Sequence, residues 1–241
     1  MNTILGNILT ALAVLIYGYL LGSIQNGIII GKVFFKKDPR DYGSHNSGGT
    51  NTGRLFGERI GLLVIFLDML KGLIAFWSVW AILRFSPIRS TLNLWDDGVF
   101  FNWLTFLGVA IGHCWPLYAK FKGGKAVSSF MGSLGGTSWL GIIYGFLSFY
   151  PLYKSKKIVS LASIISGGCV VVLTWLLTLV FWLTGWRESS SLFMWNFGFG
   201  GGLFFCWEQA SILTAMYAIL LFRHAANIKR MANGIEKPIN Y

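Results

Sequence analysis

Five apolar runs, at 4–24, 60–83, 99–112, 158–184 and 203–222, dominate this chain. Most reach the roughly 20 residues that a helix needs to cross a bilayer. Backbone in contact with lipid must satisfy its own hydrogen bonds, so such runs fold as helices or as strands of a closed barrel. The alternating ten-residue pattern of a barrel is missing. Charged residues form only 12% of the sequence, about half the share in a soluble domain, which argues against a soluble helical core. The expected fold is an all-α integral membrane protein, a single polytopic domain over residues 1–241 without linkers. The first run has no basic region before it and reads as a retained span rather than a cleaved signal. Cys114, Cys169 and Cys206 show neither a paired CxxC nor metal spacing, so neither a disulfide framework, a metal site nor a cofactor is expected.

A formal net charge of +11 is not read as nucleic-acid binding. In a multispan protein, Lys and Arg concentrate on cytoplasmic loops. If 32–59 is cytoplasmic and 126–153 crosses twice, 16 basic residues lie inside and three outside, with Lys71 within a span. A single crossing there leaves ten inside against nine outside. The bias therefore favours about seven transmembrane helices, with the N-terminus outside and the C-terminus cytoplasmic. Each half of 126–153 would hold about 14 residues, or ~21 Å of helix, so some helices must be short or broken.

The polar residues gather at predicted cytoplasmic ends. The segment 32–59 carries six basic residues among Gly, Ser, Thr and Asn, including Asp38, Arg40, Ser44, Asn46, Thr50, Asn51 and Arg54. Freed backbone amides, short polar side chains and guanidinium groups suit a phosphorylated ligand, although such loops also serve as flexible helix caps. A second cluster runs from His113 through Gly123, Gly124 and Lys125. Two glycines before a lysine that opens a helix offer N–H groups to an anion. This is not a nucleotide-binding P-loop, because Ala119 and Ala126 stand where that motif needs Gly and Ser or Thr. Third, His224 and Asn227 are i, i+3 and share one helix face at the end of the last span. Asp68 and Lys71 are charges at membrane depth, either an internal i, i+3 ion pair or direct ligands. Ser160 opens a span after three lysines and either caps it or meets substrate.

In order and spacing, these clusters resemble the bacterial acyl-phosphate-dependent glycerol-3-phosphate acyltransferases. The matching elements are Gly22-Ser23-Ile24, Asp38-Pro39-Arg40, the loop from Gly43 to Arg54, Asp68-x-x-Lys71-Gly72 and Gly112-His113-x-Trp115-Pro116. They continue with Phe121 to Lys125, Ser160 to Ile164, Arg223-His224-x-x-Asn227-Ile228-x-Arg230 and Gly234-x-Glu236, covering nearly the whole chain. The resemblance implies transfer of an acyl group from acyl phosphate to the sn-1 hydroxyl of glycerol 3-phosphate, giving lysophosphatidic acid and phosphate. It implies Lys125, Arg54 and His224 in the chemistry. Ser44, Asn46, Thr50, Asn51, Ser160 and Asn227 would bind substrate, with Gly123, Gly124, Asp68, Lys71 and His113 as further candidates. The protein would act as a monomer in the lipid bilayer, multi-pass in a bacterial plasma membrane, with its active site facing the cytoplasm. The competing reading is a transporter of an organic phosphate or anion. Departures from the family pattern are His45 and Ala126 in place of glycine, Ser47 in place of an apolar residue or proline, Gly49 in place of alanine, and Gln25 in place of proline.

Overall fold

The computed structural model describes residues 3–94, 99–135, 139–185, 206–236 and 238–239, and all regular structure within them is helical. In chain order the helices are α1 (Thr3–Gly22), α2 (Asn26–Phe34), α3 (Gly49–Phe56), α4 (Glu58–Phe85), α5 (Ile88–Leu92) and α6 (Val99–Cys114). Then follow α7 (Val127–Gly135), α8 (Trp139–Lys156), α9 (Val159–Thr184), α10 (Trp207–Arg223) and α11 (Ala225–Ala232). Among the described residues, four segments are long and apolar enough to cross a membrane: Thr3–Phe34, Glu58–Phe85, Val99–Ala119 and Val159–Thr184. A fifth is the α10–α11 pair, which bends by 57° at His224. The tail therefore turns away as a helix of its own instead of prolonging the last span.

The glycine-rich stretch 126–153 does hold two helices, but they are unequal, with nine residues in α7 and 18 in α8. At 1.5 Å per residue α7 rises only about 14 Å, less than half a hydrocarbon core. Such a helix is tolerated because protein surrounds it. Ser129, Phe130, Ser133 and Leu134 are all buried, and α7 packs against α4, α6 and α8. Most of the segment 185–197 lies outside the described residues, as does 95–98 in the loop 84–98.

Helices α1 and α6 meet backbone to backbone, because each carries glycine at four-residue spacing on the shared face. A Cβ at Gly18 or Gly22 would sit 2.3 Å from the carbonyl oxygen of Thr105 or Val109. From the other side, a Cβ at Gly108 or Gly112 would lie 2.4 Å from Leu15 O or 2.1 Å from Tyr19 O. Where lipid tails are as apolar as leucine, close approach of this kind supplies the association energy through dispersion contacts. The same device seats α3 on α4. A Cβ at Gly49 would come within 2.6 Å of Gly61 O, and one at Gly61 within 2.7 Å of Gly53 Cα. Phe76 of α4 packs edge-on against Trp103 and tilted against Phe106 of α6, with centroids 5.5 and 4.9 Å away, and closes the core between them.

Gly112→Ala should therefore push α1 and α6 apart and cost about 1–3 kcal/mol. Gly145→Ala, whose added Cβ meets only side-chain atoms at 3.5 Å or more, is the control. Thermal unfolding in detergent should show a lower midpoint for the first variant alone. Equal midpoints would show that the α1–α6 contact is looser than its geometry indicates.

Candidate active site

The loop after α2 is built before any ligand arrives. Asp38 takes bonds from the Arg40 backbone N–H and Nε, each at 3.0 Å, and from Nη2 at 2.7 Å. Hydrogen bonds from Arg40 hold the Asp38 carboxyl at about 2. Arg40 Nη1 also donates to Ala119 O at 2.8 Å, fastening this loop to the one after α6. Asn51 organises the remainder. Its Nδ2 points at the carbonyls of Pro39, Tyr42 and Asn46 at 2.7, 3.0 and 2.9 Å, while its Oδ1 accepts from the Ser44 N–H. Asn46 Oδ1 accepts from the Gly48 N–H at 2.6 Å. Asn51 thus spends its polar capacity on the loop itself, and Asn46 its Oδ1, a use that their side-chain types alone do not reveal.

The second cluster is assembled differently from its sequence pattern. The Gly124 N–H already donates to His113 O at 2.8 Å and is not free for an anion. Glycine is needed at both positions for space. A Cβ at Gly124 would fall 1.8 Å from His113 Nε2, and one at Gly123 would fall 2.2 Å from His113 O. Arg223 clasps the pair from outside, with Nε 3.0 Å from Gly124 O and Nη2 3.2 Å from Gly123 O, its guanidinium lying 5.6 Å from the Trp115 ring centre. Lys125 is delivered at the end of this clasp. It donates to Asn227 Oδ1 at 2.7 Å. The next residue, Ala126, holds φ at +61° and His45 holds +53°, so both non-glycine departures keep a left-handed backbone. For an L-residue that conformation costs roughly 1–2 kcal/mol.

These pieces enclose one cavity of about 620 Å³. One wall is Ser44, His45, Asn46 and Gly48 with the first residues of α3, Gly49, Thr50, Asn51 and Arg54. His113, Lys125 and Ser128 contribute from the α6–α7 side, and Ser160 and Ser163 from α9. His224, Asn227, Arg230 and Glu236 close the end formed by the bent tail. Leu62, Ile65, Met69, Met131 and Phe149 make an apolar flank. Ten of the fourteen residues proposed from sequence line this space. The four that do not are Gly123, Gly124, Asp68 and Lys71.

Asp68 and Lys71 form the internal ion pair, 3.0 Å apart and buried behind the wall. Lys71 Nζ lies 3.0 and 2.7 Å from Gly22 O and Ile24 O, and 3.2 Å from His113 Nδ1. Asn26 donates to Asp68 at 2.9 Å. These charges position His113 and the α1–α2 turn and do not face the cavity.

Arg230 and Glu236 were not singled out as site residues, although both stand in the tail. Glu236 Oε1 accepts from Ser160 Oγ at 2.7 Å and Asn227 Nδ2 at 2.6 Å, while Oε2 accepts from Arg230 Nε at 2.6 Å. Burial works to raise the Glu236 carboxyl, but those three hydrogen bonds outweigh it and hold it below its usual range. Ser160 serves this carboxylate and does not cap its own helix. Burial pulls the Lys125 ammonium down to about 8, against the opposing pull of Glu236 and with help from Arg230 and Arg54. His224 Nδ1 lies 2.8 Å from Leu220 O. A carbonyl only accepts, so Nδ1 carries the proton and the neutral ring has its acceptor at Nε2.

A membrane-embedded helical protein with cations, hydroxyls and three histidines around a half-apolar chamber is built to handle an amphiphilic phosphate ester. Comparison with known proteins narrows this. The family described as glycerol-3-phosphate acyltransferase matches residues 12–234. The glycerol-3-phosphate acyltransferase of Staphylococcus haemolyticus is 34% identical over 230 residues, spanning 94% of this chain and 96% of that one. The one from Chlorobium phaeobacteroides is 32% identical over 234 residues, spanning 97% and 98%. A crystal structure of PlsY (YgiH), an integral membrane glycerol 3-phosphate acyltransferase, in its glycerol 3-phosphate form aligns with a TM-score of 0.70 at 28% identity, covering 95% of this chain and 96% of that one. Its lysophosphatidic acid form aligns with a TM-score of 0.69. The chain belongs to the glycerol-3-phosphate acyltransferase family and is an integral membrane acyltransferase.

Because Gly124 is required for space and not as an anion donor, Gly124→Ala should displace the His113 ring and destabilise the fold by about 1–3 kcal/mol. A lowered unfolding midpoint checks this. An unchanged midpoint with selective loss of substrate binding would restore the anion-donor reading.

Proposed function

We propose that this enzyme transfers an acyl group from acyl phosphate to the sn-1 hydroxyl of glycerol 3-phosphate, releasing lysophosphatidic acid and inorganic phosphate. The observation that carries the reading is the convergence of Arg54, Lys125, Ser160, His224 and Asn227, from four separate parts of the chain, on one cavity. Two phosphate groups have to be held side by side for this reaction. Three cations against one carboxylate on the lining give the cavity the positive balance that two phosphates require.

An acyl phosphate is a mixed anhydride, so no enzyme-bound acyl intermediate is needed. The glycerol hydroxyl oxygen attacks the acyl carbon, and the new ester bond forms as the bond from that carbon to the phosphate oxygen breaks. Phosphate leaves with the electron pair, and the hydroxyl proton passes to His224 Nε2 or to a phosphate oxygen. Holding the reactants at attack distance supplies up to ~7–11 kcal/mol. Lys125 and Arg54 neutralise the departing phosphate. The acyl chain follows the apolar flank from Met69 to Leu62, whose side chain is exposed on the outer surface toward lipid. In this reading the cavity faces the cytoplasm of a bacterial plasma membrane. Seven crossings, counting α7 and α8 as a short pair, leave the N-terminus outside, and the enzyme works as a monomer.

Purified protein given palmitoyl phosphate and glycerol 3-phosphate should release phosphate and form lysophosphatidic acid. Turnover with acyl-CoA alone would replace the donor, and vesicle uptake of glycerol phosphate without acylation would favour a transporter. Lys125→Ala and Arg54→Ala should each lower kcat/KM by about 10²–10³ with unchanged unfolding midpoints. Normal turnover in both would move the site elsewhere.

The pH dependence has a fixed sign. The Lys125 ammonium is present below about 8 and lost above it, whereas the substrate phosphate is already fully ionised there. kcat/KM for palmitoyl phosphate should therefore fall as pH climbs through that value. Lys125→Arg, charged at every accessible pH, should lose this limb. A wild-type kcat/KM that is flat from pH 7 to 9 would remove Lys125 from that role.

A further inference from the structure

We propose that Gln25 and Ser47 form a latch that sets the distance between the two phosphate-handling walls of the cavity. Ser47 Oγ donates to Gln25 Oε1 at 2.7 Å. From the other end of the same amide, Nε2 reaches His113 O at 3.4 Å and Gly22 O at 3.3 Å. Both side chains are buried, at 1% and 4% exposure, and neither lines the cavity. What they connect does. Ser47 sits between Asn46 and Gly48 on one wall, and His113 O also receives the Gly124 N–H, one residue before Lys125 on the other. Beside the Arg40 tie to Ala119 O, this one buried amide connects the loop that presents Asn46 and Thr50 to the stretch of chain that presents Lys125.

The link runs through buried side chains, and its tightest bond, Ser47 to Gln25 at 2.7 Å, transmits small displacements. Ser47 O lies against Gly27, where a Cβ would stand 2.1 Å from it, leaving the loop no room to slide along α2. The Ser47–Gln25 bond opposes movement of the loop away from His113. Gln25 and Ser47 are positioning residues: they touch no reacting atom and fix the gap that a phosphate bridging the two walls must span.

The inference rests on the proposed binding of glycerol 3-phosphate in this cavity, but it is tested without an acyl donor. Calorimetric Kd for glycerol 3-phosphate is measured on the full-length protein and on Ser47→Ala, Gln25→Met and the double variant, together with each unfolding midpoint. Each single change leaves one buried polar atom without its partner, whereas the double change removes both, so stability should fall in the singles and recover in the double. The latch predicts that Kd rises about tenfold in each single variant and stays equally raised in the double. A Kd that recovers along with the midpoint would make the pair merely structural. A Kd unchanged in all three would overturn the latch outright. If the wild type binds glycerol 3-phosphate but fails to turn over palmitoyl phosphate, the donor assignment falls while the latch stands or falls on its own measurements.

Discussion

One buried ammonium makes the architecture possible. The first membrane-crossing segment is interrupted at Ser23–Gln25, where α1 ends and α2 begins. A helix end at membrane depth leaves carbonyls that lipid cannot satisfy. Lys71 reaches across from α4 and binds two of them, Gly22 O and Ile24 O, while Asp68 one turn earlier balances its charge and holds Asn26 at the start of α2. Ser23 completes the repair by bonding Tyr19 O and accepting the Leu117 N–H. Without this repair α1 would have no reason to stop where it does, and the loop carrying Ser44 to Asn51 would not be turned over the cavity.

The repair works only because the neighbouring helices are close enough to deliver it. Gly18, Gly22, Gly108 and Gly112 let α1 and α6 touch through their backbones, which carries His113 to within hydrogen-bonding distance of Lys71. Gly49 and Gly61 do the same for α3 and α4, and so bring Arg54 to the cavity on a helix too short to stand alone. The unusual glycine content is therefore spent on contacts between elements more than on turns. Polar function at membrane depth follows from close apolar packing here, since each charged side chain is aimed by a helix that has no room to move.

Much of this was legible in the sequence, because hydropathy and charge report directly on local chain properties. The helices at 58–85, 99–114 and 159–184 match the apolar runs within a few residues, and the Asp68–Lys71 ion pair was one of the two readings of that spacing. Tertiary contact decided the rest. Nothing local announces that the Gly124 amide is consumed by His113 O, or that Asn51 faces three carbonyls. The departures at 25 and 47 looked independent in the chain, yet they meet as a hydrogen-bonded pair. The bend at His224 was hidden because residues 207–232 keep a helical pattern on both sides of it. It is the bend that turns Asn227 and Arg230 inward.

Glu236 shows why a phosphate-binding chamber gains from holding one acid. An empty cavity lined by Lys125, Arg54 and Arg230 would suffer mutual repulsion, and its long side chains would spread toward water. The carboxylate gathers Ser160, Asn227 and Arg230 about itself, and Asn227 passes the orientation on to Lys125. One negative charge leaves the balance positive, so an arriving phosphate still meets an attractive field. Lys125 is then already pointed at Asn227, and little side-chain entropy remains to be lost on binding. Pre-arrangement matters more here than in a soluble enzyme. The donors come from loops and helix ends spread over nearly two hundred residues of sequence, from Ser44 to Glu236, and only a shared anchor can make such distant groups close on a ligand together.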